Sequence, residues 1–223
     1  MVRNAIVQFD EQNKQIIITN DIKSVSLVNS KCQKMKLSLW QSDPYLQITL
    51  QKGEHRAVSK VSFDSGCGGG FFKLSMNNLN GCVVDTIAES EGAFGFGFHG
   101  VYKKQKHVLI NIPKLDICGT TFDDVIVTAT HNRPSLIGTK LLQYGKVTLD
   151  YKKKNFYFEV FDNINTNQPT ENLWAISTTI QNDKLIVGII WDKRLESQIN
   201  LEDEILSING MDKIGRASCR ERV

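Results

Sequence analysis

The chain has 223 residues, 41% apolar and 23% charged, the balance of a globular protein long enough for one or two domains with a sizeable core. No apolar run approaches the ~18 residues a membrane-spanning helix needs, and the opening Met1-Val2-Arg3-Asn4 reads as the interior of a domain, not as an export signal. The formal net charge of +3 is inflated by residues 214–223, Ile-Gly-Arg-Ala-Ser-Cys-Arg-Glu-Arg-Val, which match one translated reading frame of a common short-read library adapter at every position. With the tail's three arginines and one glutamate set aside as an adapter-derived artefact, the rest carries about +1, and the electrostatic case for nucleic acid falls away.

The predicted elements begin with a hairpin, Val7-Gln8-Phe9-Asp10 to Lys14-Gln15-Ile16-Ile17-Ile18. The same pattern returns at Val147-Thr148-Leu149-Asp150 to Lys154-Asn155-Phe156-Tyr157-Phe158: apolar-x-apolar-Asp, three polar residues, Lys-x, three apolar residues. Between the copies, Tyr45–Leu50 alternates, Ala57–Phe63 leads into Asp64-Ser65-Gly66, and Phe71–Ser75 carries the chain out. Residues 91–102 are rich in glycine and phenylalanine, His107–Ile112 and Asp124–Ala129 are further strands, and Thr139–Tyr144 is a short helical stretch. Few segments hold helical periodicity over eleven residues, so 36–161 is expected to be all-β. Asp162–Thr170 is polar and Asn-rich, and a linker is expected over 162–171. Lys184–Trp191 is a strand, followed by Gln198–Gly210, which contains Asp-Glu-Ile-Leu-Ser-Ile-Asn-Gly.

An apolar strand, Val61-Ser62-Phe63, delivers the Asp-Ser-Gly turn, and some seventy residues later Ser135-Leu136-Ile137-Gly138 precedes a short helix. Taken alone, Asp-Ser-Gly is ordinary turn chemistry. The two motifs together, in this order and at this separation, resemble one lobe of an aspartic protease. The resemblance implies that Ile137-Gly138 packs against the Asp64 loop in a crossed-loop arrangement, that Asp64 is one of two carboxylates sharing a proton, and that Ser65 braces one lobe against the other. Gly66 lets the main chain pass without a Cβ. Cys67 stands where the family usually has Ala, Ser or Thr, and Gly68-Gly69-Gly70 is unusually flexible for the exit of a catalytic turn.

The Gln198–Gly210 run resembles a PDZ segment, with Asn200 and Glu202 in places where that family has glycine. The joint resemblance is to bacterial retropepsin-like aspartyl proteases that carry a C-terminal PDZ domain. It implies a mainly β protein: the end of a preceding lobe at 1–20, a pepsin- or retropepsin-like β-barrel lobe at 36–161, and a truncated PDZ domain at 172–213. The implied activity is endopeptidase action on a peptide or protein, with the second lobe supplied by a missing N-terminal lobe or a homodimer mate. The chain alone is expected to be inactive unless it dimerises. Phe96, Gly97, Phe98 and His99 belong to the candidate flap over the cleft, with a core-packing hairpin as the alternative. The family suggests a bacterial cell envelope or periplasm. The alternative function is a non-catalytic peptide-binding scaffold built on a degenerate lobe, motivated by Cys67 and the glycine run.

No cofactor or metal is expected. Gly95, Gly97 and Gly100 fit Gly-x-Gly-x-x-Gly without the strand-to-helix context a dinucleotide site needs. His55, His99, His107 and His131 lack ligand spacing, and no local signature supports a cysteine nucleophile at Cys67. Cys32, Cys67, Cys82 and Cys118 fit either buried thiols or one or two disulfides.

Overall fold

The structure, a computed structural model, describes residues 4–39, 42–67, 71–78, 83–93, 96–97, 100–101, 103–131, 133–167, 175–209 and 211–212. In chain order, β1 (Ile6–Asp10) and β2 (Gln15–Thr19) form a hairpin, followed by β3 (Lys31–Lys34), β4 (Lys36–Leu37), β5 (Pro44–Lys52) and β6 (His55–Phe63). Then come β7 (Phe72–Ser75), β8 (Asp85–Gly92), the short pair β9 (Phe96–Gly97) and β10 (Gly100–Val101), and the long β11 (Gln105–Ile117) and β12 (Thr120–Thr130). β13 (Leu136–Ile137), a 3-10 helix at Thr139–Gln143, β14 (Gly145–Asp150) and β15 (Asn155–Val160) follow. The remaining strands are β16 (Ile176–Gln181), β17 (Lys184–Ile190), β18 (Ser207–Ile208) and β19 (Met211–Asp212).

The protein is mainly β and contains a closed β-barrel. It divides into two compact units, Met1–Ile87 with Leu109–Glu171, and Ala88–Val108 with Asn172–Val223. In the first unit the barrel order is β5-β6-β13-β7-β12-β11, and β11 returns to β5 through Lys114↔Gln51 to Ile117↔Ile48. Alternation fills it: Leu46, Ile48 and Leu50 point inward from β5, Ile110 and Ile112 from β11. On β12 the burial alternation slips at Asp124, which adopts a φ of 52°, and Phe122 and Val125 on either side of the slip are both buried. Burying such side chains contributes roughly 1.5–3 kcal/mol each.

A second sheet of the first unit has the order β2-β1-β14-β15-β3. Its two hairpins are the two copies of the sequence echo, and their geometry repeats as well. The Asp10 carboxylate accepts from the Asn13 amide at 3.1 Å, and the Asp150 carboxylate from the Lys153 amide at 2.8 Å. Lys14 and Lys154 end the turns in the left-handed region, at φ 53° and 54°. The central strands pair antiparallel, Val7 with Leu149, Gln8 with Thr148 and Phe9 with Val147. A local pseudo-two-fold axis therefore passes through the Gln8–Thr148 pair, where Gln8 Nε2 donates to Thr148 Oγ1 at 2.9 Å.

In the second unit β16 and β17 form a hairpin turned by Asn182 and Asp183, both at positive φ. The other edge of β17 takes the segment 202–205: Glu202 N donates to Val187 O at 2.8 Å, Val187 N to Asp203 O at 2.9 Å and Ile205 N to Leu185 O at 2.9 Å. Glu202, at the start of that segment, has a φ of 71°. Gly92 and Gly188 pack backbone against backbone: a Cβ on Gly92 would lie 1.9 Å from Gly188 O.

Candidate active site

The site is a crossed loop at one end of the barrel. β6 runs out through Phe63, and Asp64 opens the turn that follows it. β13 slots between β6 and β7, parallel to the first (Leu136↔Ser62, Ile137↔Phe63) and antiparallel to the second (Leu136↔Lys73, Ile137↔Phe72). Two hydrogen bonds stitch the parallel side: Ser62 N to Ser135 O at 3.0 Å and Asp64 N to Ile137 O at 2.9 Å. Gly138 N donates to Phe71 O at 3.0 Å, and Thr139 N to Cys67 O at 3.1 Å. Asp64 is thus held from both sides by main chain, with the apolar side chains of Val61, Phe63 and Ile137 buried beneath it.

Within the turn Asp64 Oδ1 accepts from Gly66 N at 2.9 Å, and Cys67 N donates to Asp64 O at 3.0 Å. A Cβ on Gly66 would lie 3.2 Å from that same Oδ1. A side chain there would crowd the carboxylate, which would have to shift by a few tenths of an ångström. Asp64 is half-buried, while Ser65 and Gly66 are exposed, so the carboxylate is presented at a surface. Among the described residues the Ser65 hydroxyl makes no hydrogen bond, which leaves it free to bond with a partner.

The structure brings Asp64, Ser65, Gly66, Ile137 and Gly138 together in one loop pair. The candidate flap residues Phe96 and Gly97 lie on β9, paired with Val101 and Gly100 of β10, while Phe98 and His99 lie outside the described residues. These short strands belong to the second unit. Sequence reasoning missed two bracing groups. Ser135, buried, accepts from Ser75 N through its Oγ at 3.0 Å and so fixes β7 beside the loop. The Thr139 hydroxyl donates to Cys67 O at 3.4 Å. A small hydroxyl residue flanking each end of Leu-Ile-Gly was the available signal.

The thiol of Cys118, buried under the five-stranded sheet, is pushed up to about 12, first by desolvation and then by the nearby Cys32. Cys32, Cys67 and Cys118 are free thiols, and Cys82 lies outside the described residues. Among the described residues no group of three or more His, Cys, Asp or Glu could hold a metal ion, and no helix is long and apolar enough to cross a membrane. The second unit has its own open groove of about 540 Å³, lined by Glu89, Glu91, Lys106, Ile190, Lys193 and Leu201 among others. No protein-family model matches the chain, and no curated protein matches it.

Proposed function

We propose that this chain carries one half of an aspartic endopeptidase site, with Asp64 as its catalytic carboxylate. The observation that carries the reading is the crossed loop: an Asp-Ser-Gly turn at a strand end, locked by a second, distant strand through Asp64 N to Ile137 O at 2.9 Å. A turn aspartate that merely closed a hairpin would need no such clamp. Two carboxylates about 3 Å apart share one proton, because like charges that close cannot both ionise. The ionised member takes a proton from water as the water attacks the scissile carbonyl, while the protonated member gives its proton to the developing oxyanion; the first member then passes the water's proton to the leaving amine as the second recovers its own from the collapsing gem-diol. The chain supplies one Asp-Ser/Thr-Gly turn, so the second carboxylate comes from a partner lobe.

The second unit is read as part of a PDZ domain that recruits a peptide or protein by strand addition. Its support is Gln198–Gly210 and the turns around it: Glu202 adopts positive φ where the resembled family has glycine, and Asn209 does so between β18 and β19. The test is hydrolysis of an unfolded protein by Asp64 assembled with a lobe that carries its own Asp-Thr/Ser-Gly turn. Activity should follow a two-carboxylate pH profile and vanish in Asp64→Asn. Undiminished hydrolysis by Asp64→Asn would remove Asp64 from the chemistry.

A further inference from the structure

We propose that the β14–β15 turn, together with the outer face of β4, β5 and β6, is an electrostatic docking surface for an anionic lipid bilayer. None of the residues of the Asp64 site takes part.

Backbone contacts assemble the surface step by step. The β14–β15 turn carries Lys152, Lys153 and Lys154 in a row, all exposed. Beside it, Met35 N donates to Lys154 O at 2.9 Å and Lys34 Nζ to Lys153 O at 3.3 Å. Met35 is buried, so the extended chain turns its neighbours Lys34 and Lys36 outward together. Lys36 stands opposite Tyr45 across the β4–β5 ladder, and the Lys60 ammonium lies 4.1 Å from the centre of the Tyr45 ring. Six exposed lysines thus run from the turn to the barrel wall.

Their charge is not cancelled locally. Among the described residues none of the six is in an ion pair. Two acids border the surface, and both are engaged. Asp150 is buried, with a carboxylate oxygen on the Lys153 amide at 2.8 Å, and Asp43 accepts from the Ser38 hydroxyl at 3.1 Å. Counted in full, two acids against six lysines still leave a surplus of four, in a chain that carries about +1 outside its adapter-derived tail. The positive charge is therefore concentrated here, as it is on surfaces that meet anionic headgroups.

The surroundings select a bilayer over a nucleic acid. The cations are all lysines, which lack the arginine fork that reads phosphates and bases. Lys60 already occupies one face of the Tyr45 ring and competes with base stacking. Val58, two residues before Lys60 on the same face of β6, is 63% exposed. That apolar contact is idle against a phosphate backbone and is taken up at the boundary of headgroups and acyl chains. The outside of a closed barrel is convex, whereas single strands are held in grooves.

The test is co-sedimentation of the full chain with phosphatidylcholine vesicles, with and without phosphatidylglycerol. The chain should pellet with the anionic vesicles and not with the neutral ones, and salt should release it. Lys36→Gln, Lys60→Gln, Lys152→Gln and Lys153→Gln together should weaken partitioning on the order of a hundredfold, at about fivefold for each lysine. If that variant does not fold, Lys152→Gln with Lys153→Gln should still cost about twentyfold. Removing the same charge elsewhere, by Lys23→Gln, Lys103→Gln, Lys104→Gln and Lys193→Gln, should cost under about fivefold. An equal loss in this control would mean that binding follows net charge, and would overturn the surface. Failure of the wild type to pellet with anionic vesicles would overturn it too, as would a lysine variant that pellets as well as the wild type. A DNA oligonucleotide held more tightly than the vesicles, with the same dependence on these lysines, would assign the face to nucleic acid instead.

Discussion

The hairpins β1–β2 and β14–β15 share a sequence pattern, a turn geometry and an aspartate cap, yet one is sealed in a core and the other ends in open isoleucines. Their local code is the same: an aspartate at the strand end accepts an amide three residues on, and a lysine closes the turn at φ near 53°. Their burial is opposite, because a barrel stands over Phe156 and Phe158 while nothing in the described residues stands over Ile16 and Ile18. Local sequence writes the hairpin; its worth in stability is set by what covers it.

The comparison breaks most visibly at the aromatic stations. Phe158→Ala should cost about 3–5 kcal/mol by chemical denaturation, the ordinary penalty for a phenylalanine-sized cavity. Ile18→Ala, its symmetric partner, should cost under about 0.5 kcal/mol in the chain as it stands. Equal losses at the two positions would mean that Ile18 is covered.

The next test lies at the strand edge that only the β14–β15 side possesses. The Cys118 thiol donates to Lys31 O at 3.3 Å and Phe156 O at 3.7 Å, tying β3 to β15. The folded thiol is raised to about 12 from the ordinary 9.0, so its contribution to stability is complete below pH 9 and lost as pH climbs from there toward 12, because the unfolded chain releases the proton first. Melting temperature should fall more steeply above pH 9 in the wild type than in Cys118→Ala. Parallel curves would place the thiol's burial in doubt.

Smaller effects probe the shared code. Asp150→Ala should cost about 1–2 kcal/mol and Asp10→Ala a similar amount, since each leaves a turn amide without its acceptor. A ratio far from one would show that the two turns are not equivalent. Lys14→Gly and Lys154→Gly should each stabilise by about 0.5–1 kcal/mol, relieving a side chain held in the left-handed region. Matching gains, read by urea denaturation, would confirm the pseudo-symmetry at its finest grain.

Much of the barrel was legible because its strands announce themselves by alternation. Tyr45–Leu50, Ala57–Phe63 and Asp124–Ala129 all fall inside strands, and Thr139–Tyr144 covers a short 3-10 helix. The echo was legible too, and proved to be geometry. β8 was not, because Asp-Thr-Ile-Ala-Glu-Ser-Glu-Gly is largely exposed and carries three acids, so it offers no apolar period. The four-residue β3 was equally silent: Lys-Cys-Gln-Lys holds its place by pairing with β15, and nothing in its own composition marks it. At the crossed loop, the meeting of the Asp64-Ser65-Gly66 turn with Ile137-Gly138 was expected from the resemblance those two motifs carry, and the two segments do lie side by side. The bracing by Ser135 and Thr139 was not, because it depends on which backbone amides and carbonyls the fold brings within reach.

Asp64 is proposed to work as one of two carboxylates contributed by two lobes. The decisive experiment is hydrolysis of an unfolded protein substrate by this chain assembled with a lobe that carries its own Asp-Thr/Ser-Gly turn, comparing wild type with Asp64→Asn. Hydrolysis should disappear in Asp64→Asn while the fold, read by its thermal melt, persists. Hydrolysis continuing at an unchanged rate would contradict it.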